Sequence, residues 1–296
     1  MAKHYNALIL GHLSRSVHLK HDGEELTWMG GALWYSVHSA IAGGNSVGAV
    51  VKCAPVDNES YEMLPLAHED IYYRPAKTTM SIRSTFFTPE KERRRCDALS
   101  IGETFTVAEI PDATADVYHI AGLMSGDFDP EVIVELSKRG PVSIDVQGVL
   151  RCPDETGEMV LRDWQDKNKY IPHITYLKTD AAEAEILTGL SDRHEAAKAL
   201  HDCGAKEVMI SYHQEMMVYD GKDFAIWPVV ARNFSGRSGR GDTTIAAYIT
   251  ERLRANISDA LRYATASSSL KMETPGPLKA SRAEIEAYME EFLPKN

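Results

Sequence analysis

Short apolar runs alternate with helical stretches along most of this chain, and glycines stand at several of the junctions. That alternation points to an α/β fold with a mostly parallel central sheet, because parallel strands need crossovers long enough to hold a helix. Strands are expected at 5–10, 47–51, 117–120, 142–146, 174–177 and 208–211, and helices at 32–42, 130–138, 181–187, 193–202, 243–253 and 257–270. Gly30-Gly31 precedes the helix at 32–42 and Gly43-Gly44 follows it, while Gly140-Pro141 closes the helix at 130–138.

Two stretches break the alternation. In the first, 17–19 and 25–29 are joined by His21-Asp22-Gly23, which reads as a hairpin. In the second, 71–73 and 78–87 are rich in β-branched and aromatic residues and run into the charged Glu90-Lys91-Glu92-Arg93-Arg94-Arg95. Neither has a partner helix, so 13–29 and 71–99 are expected to form a small β-layer projecting from a single domain spanning 1–296. Thr79, Ser81, Arg83 and Thr85 alternate with Met80, Ile82 and Phe86 as a wet and a dry face would. The dry face would bury itself against a second copy, so a homodimer is expected.

Composition narrows the function classes. The net charge of −11 argues against a general nucleic-acid or anionic-membrane surface. No run approaches the roughly 20 apolar residues of a membrane span, and the first apolar run is too short for a secretory signal. Cys53, Cys96, Cys152 and Cys203 lie far apart without a Cys-x-x-Cys pair, the pattern of reduced thiols rather than of a disulfide framework or zinc site. A cytoplasmic protein is expected.

The strongest chemical signal is Ser235-Gly236-Arg237-Ser238-Gly239-Arg240-Gly241-Asp242-Thr243-Thr244, directly before a helix. Helix N-termini present unpaired N–H groups and partial positive charge, glycines allow close approach, and Arg237 and Arg240 add cationic donors, so the loop suits a phosphate or developing anion. Asp242 there reads equally as an N-cap of a helix starting at 243.

With that loop in view, the chain resembles the ribokinase-like (PfkB) carbohydrate kinase family, whose signature Gly-Ala-Gly-Asp is matched by Gly239-Arg240-Gly241-Asp242. Gly30-Gly31-Ala32 before a helix is similar to the family's N-terminal signature. Asp180-x-x-Glu183, after Lys178, is similar to its Asn-x-x-Glu motif, and Asp145-Val146-Gln147-Gly148 stands where the family has an Asp-x-Asn strand end. The resemblance covers nearly the whole chain. It implies a ribokinase-like three-layer fold whose lid is built from 13–29 and 71–99. It also implies phosphoryl transfer from ATP to a hydroxyl of a sugar, cyclitol or nucleoside.

In that frame Asp242 is the general base, and the amides of Gly239, Arg240 and Gly241 form the anion hole. Glu183, with Asp180 beside it, would hold Mg²⁺, although both also fit a helix-capping box. Ser16, Gly30, Gly31, Tyr35 and Asp242 would face the acceptor. Asp180, Ser211, His213, Gly239 and Gly241 would face the nucleotide.

Departures from the pattern matter as much. Ser16 stands where the family often has an Asp, and Tyr35, after Trp34, where it often has an Asn, so a larger and more aromatic pocket than ribose needs is implied. The Thr-x-Gly-x-x-Gly nucleotide turn reads Ser211-Tyr212-His213-Gln214-Glu215-Met216, with both glycines gone, which leaves the donor open and motivates a competing reading as a catalytically weak metabolite sensor. His12, His18 and His21 lack a Cys or acidic partner at ligand spacing and read as ordinary polar residues. Arg93-Arg94-Arg95 read as a solvated strand end.

Overall fold

The computed structural model describes residues 3–88 and 94–295; the expectation for Glu90 to Arg93 lies outside them. The chain begins β1 (His4–His12), β2 (Ser14–Leu19), β3 (Glu25–Gly30), α1 (Ala32–Ala42), β4 (Val47–Cys53), β5 (Ile71–Pro75), β6 (Met80–Phe86) and β7 (Arg94–Ser100). It continues β8 (Thr114–Ala121), α2 (Glu131–Ser137), β9 (Val142–Asp145), α3 (Gln147–Leu150), β10 (Arg151–Pro153), β11 (Met159–Leu161), α4 (Lys167–Tyr170) and β12 (Tyr176–Asp180). It ends α5 (Ala181–Thr188), α6 (Arg193–Asp202), β13 (Glu207–Ser211), β14 (Glu215–Tyr219), β15 (Phe224–Pro228), α7 (Arg240–Glu251), α8 (Ile257–Met272) and α9 (Arg282–Phe292).

Nine strands form the main sheet in the order β15-β14-β13-β12-β9-β8-β1-β4-β5. All its neighbours pair parallel except the β13–β14 and β14–β15 pairs, which are antiparallel. Because alternate residues of a strand face opposite sides, the apolar runs feed two cores. Ala7, Ile9, Ala49, Val51 and Val117 pack with α1, α7 and α8 through Leu33, Ile245 and Leu261. Leu8, Leu10, Val50, Tyr118 and Ile120 pack with α2, α5 and α6 through Val132, Ala184 and Leu200. The result is the three-layer α/β architecture. Among the described residues no helix is long and apolar enough to cross a membrane.

Strand order departs from β1 in two directions, to β4 and β5 on one side and to β8, β9, β12 and β13 on the other. Such a switch point leaves a crevice at the carboxyl ends of the strands. The second sheet, β3-β2-β6-β7, is the layer expected from 13–29 and the later excursion: β2 runs antiparallel to β3 and parallel to β6.

Several expectations are corrected. Ile71–Pro75, expected in the small layer, pairs parallel with β4 as the edge of the main sheet, since its Tyr72 and Tyr73 extend the core beneath it. The expected wet face is covered at one end. Thr79 and Ser81 are buried, with the Thr79 hydroxyl donating to Asp57 Oδ2 at 2.5 Å and Ser81 Oγ donating to the Arg15 carbonyl at 3.0 Å. The β14–β15 hairpin and the β10–β11 ribbon were not expected. Finally, α7 begins at Arg240 rather than 243, so Asp242 is its third residue and Gly239, in a left-handed conformation (φ 77°), is its N-cap.

Candidate functional site

Asp145 ends β9 and Lys178 stands in the middle of β12, where the two are register partners and so project to the same face. Lys178 Nζ donates to Asp145 Oδ2 at 2.7 Å, with only 6% and 2% of the two side chains exposed. Burial, the largest influence, works against the Lys178 charge, but Asp145 and Glu183 outweigh it and hold the ammonium above its ordinary value. Asp145 Oδ1 accepts the Gln147 amide at 3.2 Å, and Gln147 Nε2 donates to Asp242 Oδ1 at 3.1 Å. A buried polar chain thus runs from β12 through β9 to the first turn of α7.

The N-cap of α7 is Gly239, not Asp242, and Asp242 is the third residue of the helix. Its carboxyl group is pushed up to about 6, first by burial and then by Asp145, with Lys178 and Arg151 pulling the other way. A carboxylate so placed is poised to exchange a proton near neutrality.

The loop before α7 is held close on both sides. A Cβ on Gly239 would collide with the ring of Tyr35, and one on Gly241 would lie 2.8 Å from Lys178 Nζ. The Gly241 amide, in the first helical turn, has no intrahelical acceptor. The Arg240 amide, expected in the anion hole, instead donates to the Arg237 carbonyl at 3.3 Å. The Arg240 guanidinium is held below its ordinary value by burial, with Asp180 opposing. From α1, Ser36 and Ser39 donate to the Asp242 and Thr243 carbonyls at 3.4 and 2.8 Å, so the helix after Gly30-Gly31 braces the loop.

Asp180 and Glu183 make the capping box in full. Asp180 Oδ1 accepts the Glu183 amide and Glu183 Oε2 accepts the Asp180 amide, each at 2.9 Å. Glu183 Oε1 lies 3.6 Å from Arg151 Nη2. Its carboxyl group is raised, chiefly by burial.

Ser211 ends β13 opposite Asp180, its hydroxyl donating to the Thr179 carbonyl at 3.4 Å. The turn after it closes tightly, with the Tyr212 amide donating to the Glu215 carbonyl at 2.9 Å. His213 is exposed in that turn and its ring packs on Tyr212.

Of the residues expected at the acceptor, Ser16 pairs across from Trp28, and its hydroxyl would lie 3.5 Å from a Cβ on Gly30. Gly31 (φ 104°) starts α1 where a Cβ would meet the His12 carbonyl at 2.9 Å. Tyr35 is buried, hydrogen-bonded to Trp28 and packed on Gly239, so it joins the small sheet to the loop. His12 is buried and pushed down to about 4 by desolvation, with Nε2 on the Glu103 carbonyl at 2.8 Å, and His18 packs on Trp28 and Phe86. Among the described residues no three His, Cys, Asp or Glu side chains converge as a metal cage.

Lys178 and Gln147 are named within sequence motifs but given no role there, and Arg151 and Lys271 are passed over by sequence reasoning. The available signal for the two lysines was a cation inside an otherwise apolar or small-residue run, which is rarely buried unless paired.

The sequence model described as pfkB family carbohydrate kinase matches residues 102–283. A cytidine kinase of Thermococcus kodakarensis is 25% identical over 256 residues, covering 82% of this chain and 86% of that one. A structure of a pyrophosphate-dependent kinase in the ribokinase family, complexed with a pyrophosphate analog and myo-inositol, is 28% identical with a TM-score of 0.85, covering 95% of this chain and 99% of that one. Arabidopsis thaliana ribokinase complexed with ribose and ATP is 14% identical with a TM-score of 0.76, covering 98% and 99%, a likeness of fold.

Proposed function

This chain belongs to the pfkB family of carbohydrate kinases, and from that premise we propose that it transfers a phosphoryl group to a ring hydroxyl of a cyclitol such as myo-inositol, with Asp242 as general base. The observation that carries the reading is a buried carboxylate, poised near neutrality, in the first turn of a helix whose N-terminus is held against Lys178. Sugars and nucleosides are the neighbouring acceptors. The cyclitol is favoured by the myo-inositol complex at 28% identity and by the aromatic Trp28–Tyr35 pair beside Gly30 and Ser16.

In this reading the acceptor hydroxyl gives its proton to Asp242 as its oxygen bonds to the donor's terminal phosphorus, and the bond from that phosphorus to the bridging oxygen breaks, releasing ADP from ATP or phosphate from pyrophosphate. The positive charge of Lys178 and the Gly241 amide meet the charge on the transferred group. Arg240 and Arg151 line the donor side. ATP is the donor expected from the family. A second donor, pyrophosphate, is favoured by a specific feature: the Ser211–Met216 turn is a closed hairpin without glycine, while Arg240 and Arg151 stand within electrostatic reach of Asp180. The 28%-identical structure is of a pyrophosphate-dependent kinase. Offering each donor with a panel of cyclitols, sugars and nucleosides, and identifying the phosphorylated product, tests the reading.

Mg²⁺ would be held by Glu183 through Oε1, directly or through water, because Oε2 is committed to the cap while Oε1 lies 3.6 Å from Arg151. Bound there, the ion would neutralise phosphate charge. Glu183→Gln keeps a capping acceptor, so stability should stay within about 1 kcal/mol. The Mg²⁺ concentration for half-maximal rate should rise several-fold. An unchanged Mg²⁺ dependence with a loss of stability would leave Glu183 as a cap alone.

A further inference from the structure

Lys271 lies one residue before the end of α8 and is 1% exposed. Its Nζ donates to the Gly236 carbonyl at 2.7 Å and stands 5.3 Å from the centre of the Tyr35 ring. Tyr35 in turn supports Gly239, the left-handed residue from which α7 starts. Two more bonds fix the same loop to the end of α8: the Gly236 amide donates to the Met272 carbonyl and Ser235 Oγ to the Glu273 carbonyl, both at 2.8 Å. A Cβ on Gly236 would collide with the Thr274 carbonyl, so the loop has no slack there.

A helix of this length needs no ammonium in its core, and an ion without full pairing is costly to bury. The surroundings favour a cation all the same. The carboxyl end of α8 carries partial negative charge, the Tyr35 face attracts a cation, and Asp242 lies within electrostatic reach.

We propose that Lys271 is a positioning residue whose buried ammonium fixes the Gly236 carbonyl and, through Tyr35, the Gly239 turn, so that the amides at the start of α7 are aimed by a cation the chain itself supplies. The inference rests on the phosphoryl-transfer reading of that loop. Burial lowers Lys271 to about 8, with Asp242 opposing. The groups facing it are Asp242 from α7 and Tyr35 from α1, whose hydroxyl is pushed up to about 12. Glu273, following on its own helix, is engaged by Arg232 and Tyr288. Of these groups, Lys271 is therefore the one that changes charge near pH 8.

The test compares Lys271→Met, which keeps the shape, with Lys271→Gln, which keeps an N–H donor without charge. Both should lose at least about tenfold in kcat with the acceptor KM changed less than threefold, because the loop rather than the acceptor pocket is displaced. The wild-type fall in rate above about pH 8 should be missing from both, and millimolar ammonium ion should restore part of the Lys271→Met rate. Wild-type kcat per folded molecule in either variant, whether or not its melting temperature drops, overturns the proposal. Should the wild type phosphorylate no acceptor, the functional reading itself has failed. Calorimetric binding of inorganic pyrophosphate then serves: at least about tenfold weaker binding by Lys271→Met supports the positioning role, and unchanged binding overturns it.

Discussion

Asp242→Asn is expected to lower kcat by at least about a hundredfold while the protein folds with an unchanged or higher melting temperature at pH 7. General-base catalysis contributes about 10²–10⁴ in rate, and Asn keeps the size of Asp and an acceptor for Gln147 while losing the ability to take a proton. The fold should not suffer, because Asp242 is the third residue of α7 and not its cap. Its charge is in fact a burden on stability. The carboxyl group is held at about 6 against an ordinary 3.8, so the folded protein binds that proton more tightly than the unfolded chain does. Stability then falls as pH rises from about 4 to 6, and above that range the buried charge costs on the order of 3 kcal/mol. Asn carries no such cost. The gain in melting temperature should appear at pH 7 and vanish near pH 4, and calorimetry at the two values checks it. The acid limb of the wild-type kcat/KM profile, near pH 6, should be absent from the residual rate of the variant.

Lys178→Met should have the largest combined effect. It removes the positive charge beside Gly241 and leaves Asp145 buried without its partner. Breaking a buried pair from one side costs about 3–5 kcal/mol, and losing one prearranged donor at a developing anion costs about 10²–10³ in kcat. The two effects separate in the double variant Asp145→Asn, Lys178→Met, where Asp145 is no longer a buried charge without its partner. There the melting temperature should recover most of its loss while kcat stays at least about a hundredfold down. Recovery of both would make the pair a stability device, and a single variant with normal rate would remove Lys178 from the reaction.

Much of the fold could be read from alternation, because each apolar run with a following helix is a local signal that strand pairing later only orders. The β14–β15 hairpin carries a local mark in Asp220-Gly221, with Gly221 at φ 91°, but the continuous Met216-Met217-Val218 run before it lacks the apolar–polar alternation of a strand with one wet face. Ile71–Pro75 was misplaced for a related reason: its aromatic residues suit either sheet, and only pairing with β4 decides. The site divides in the same way. Gly239, Gly241 and Asp242 stand together in sequence at the start of a helix, so their chemistry is visible. The Asp145–Lys178 pair depends on the register of two strands 33 positions apart, and Lys271 meets Gly236 from 35 positions away. Neither spacing leaves a local trace. The start of α7 was set three residues late because Asp242 looks like a good N-cap, whereas the left-handed Gly239 takes that place.

The most direct test of the account is ³¹P NMR of wild type and Asp242→Asn with ATP or pyrophosphate as donor, Mg²⁺, and myo-inositol beside cytidine and ribose as acceptors. The account predicts a phosphate monoester of inositol made by the wild type from at least one of the two donors, and the same product at no more than about one hundredth of that rate in the variant. Wild-type turnover by Asp242→Asn, or no phosphate ester on any acceptor from either donor, would contradict it.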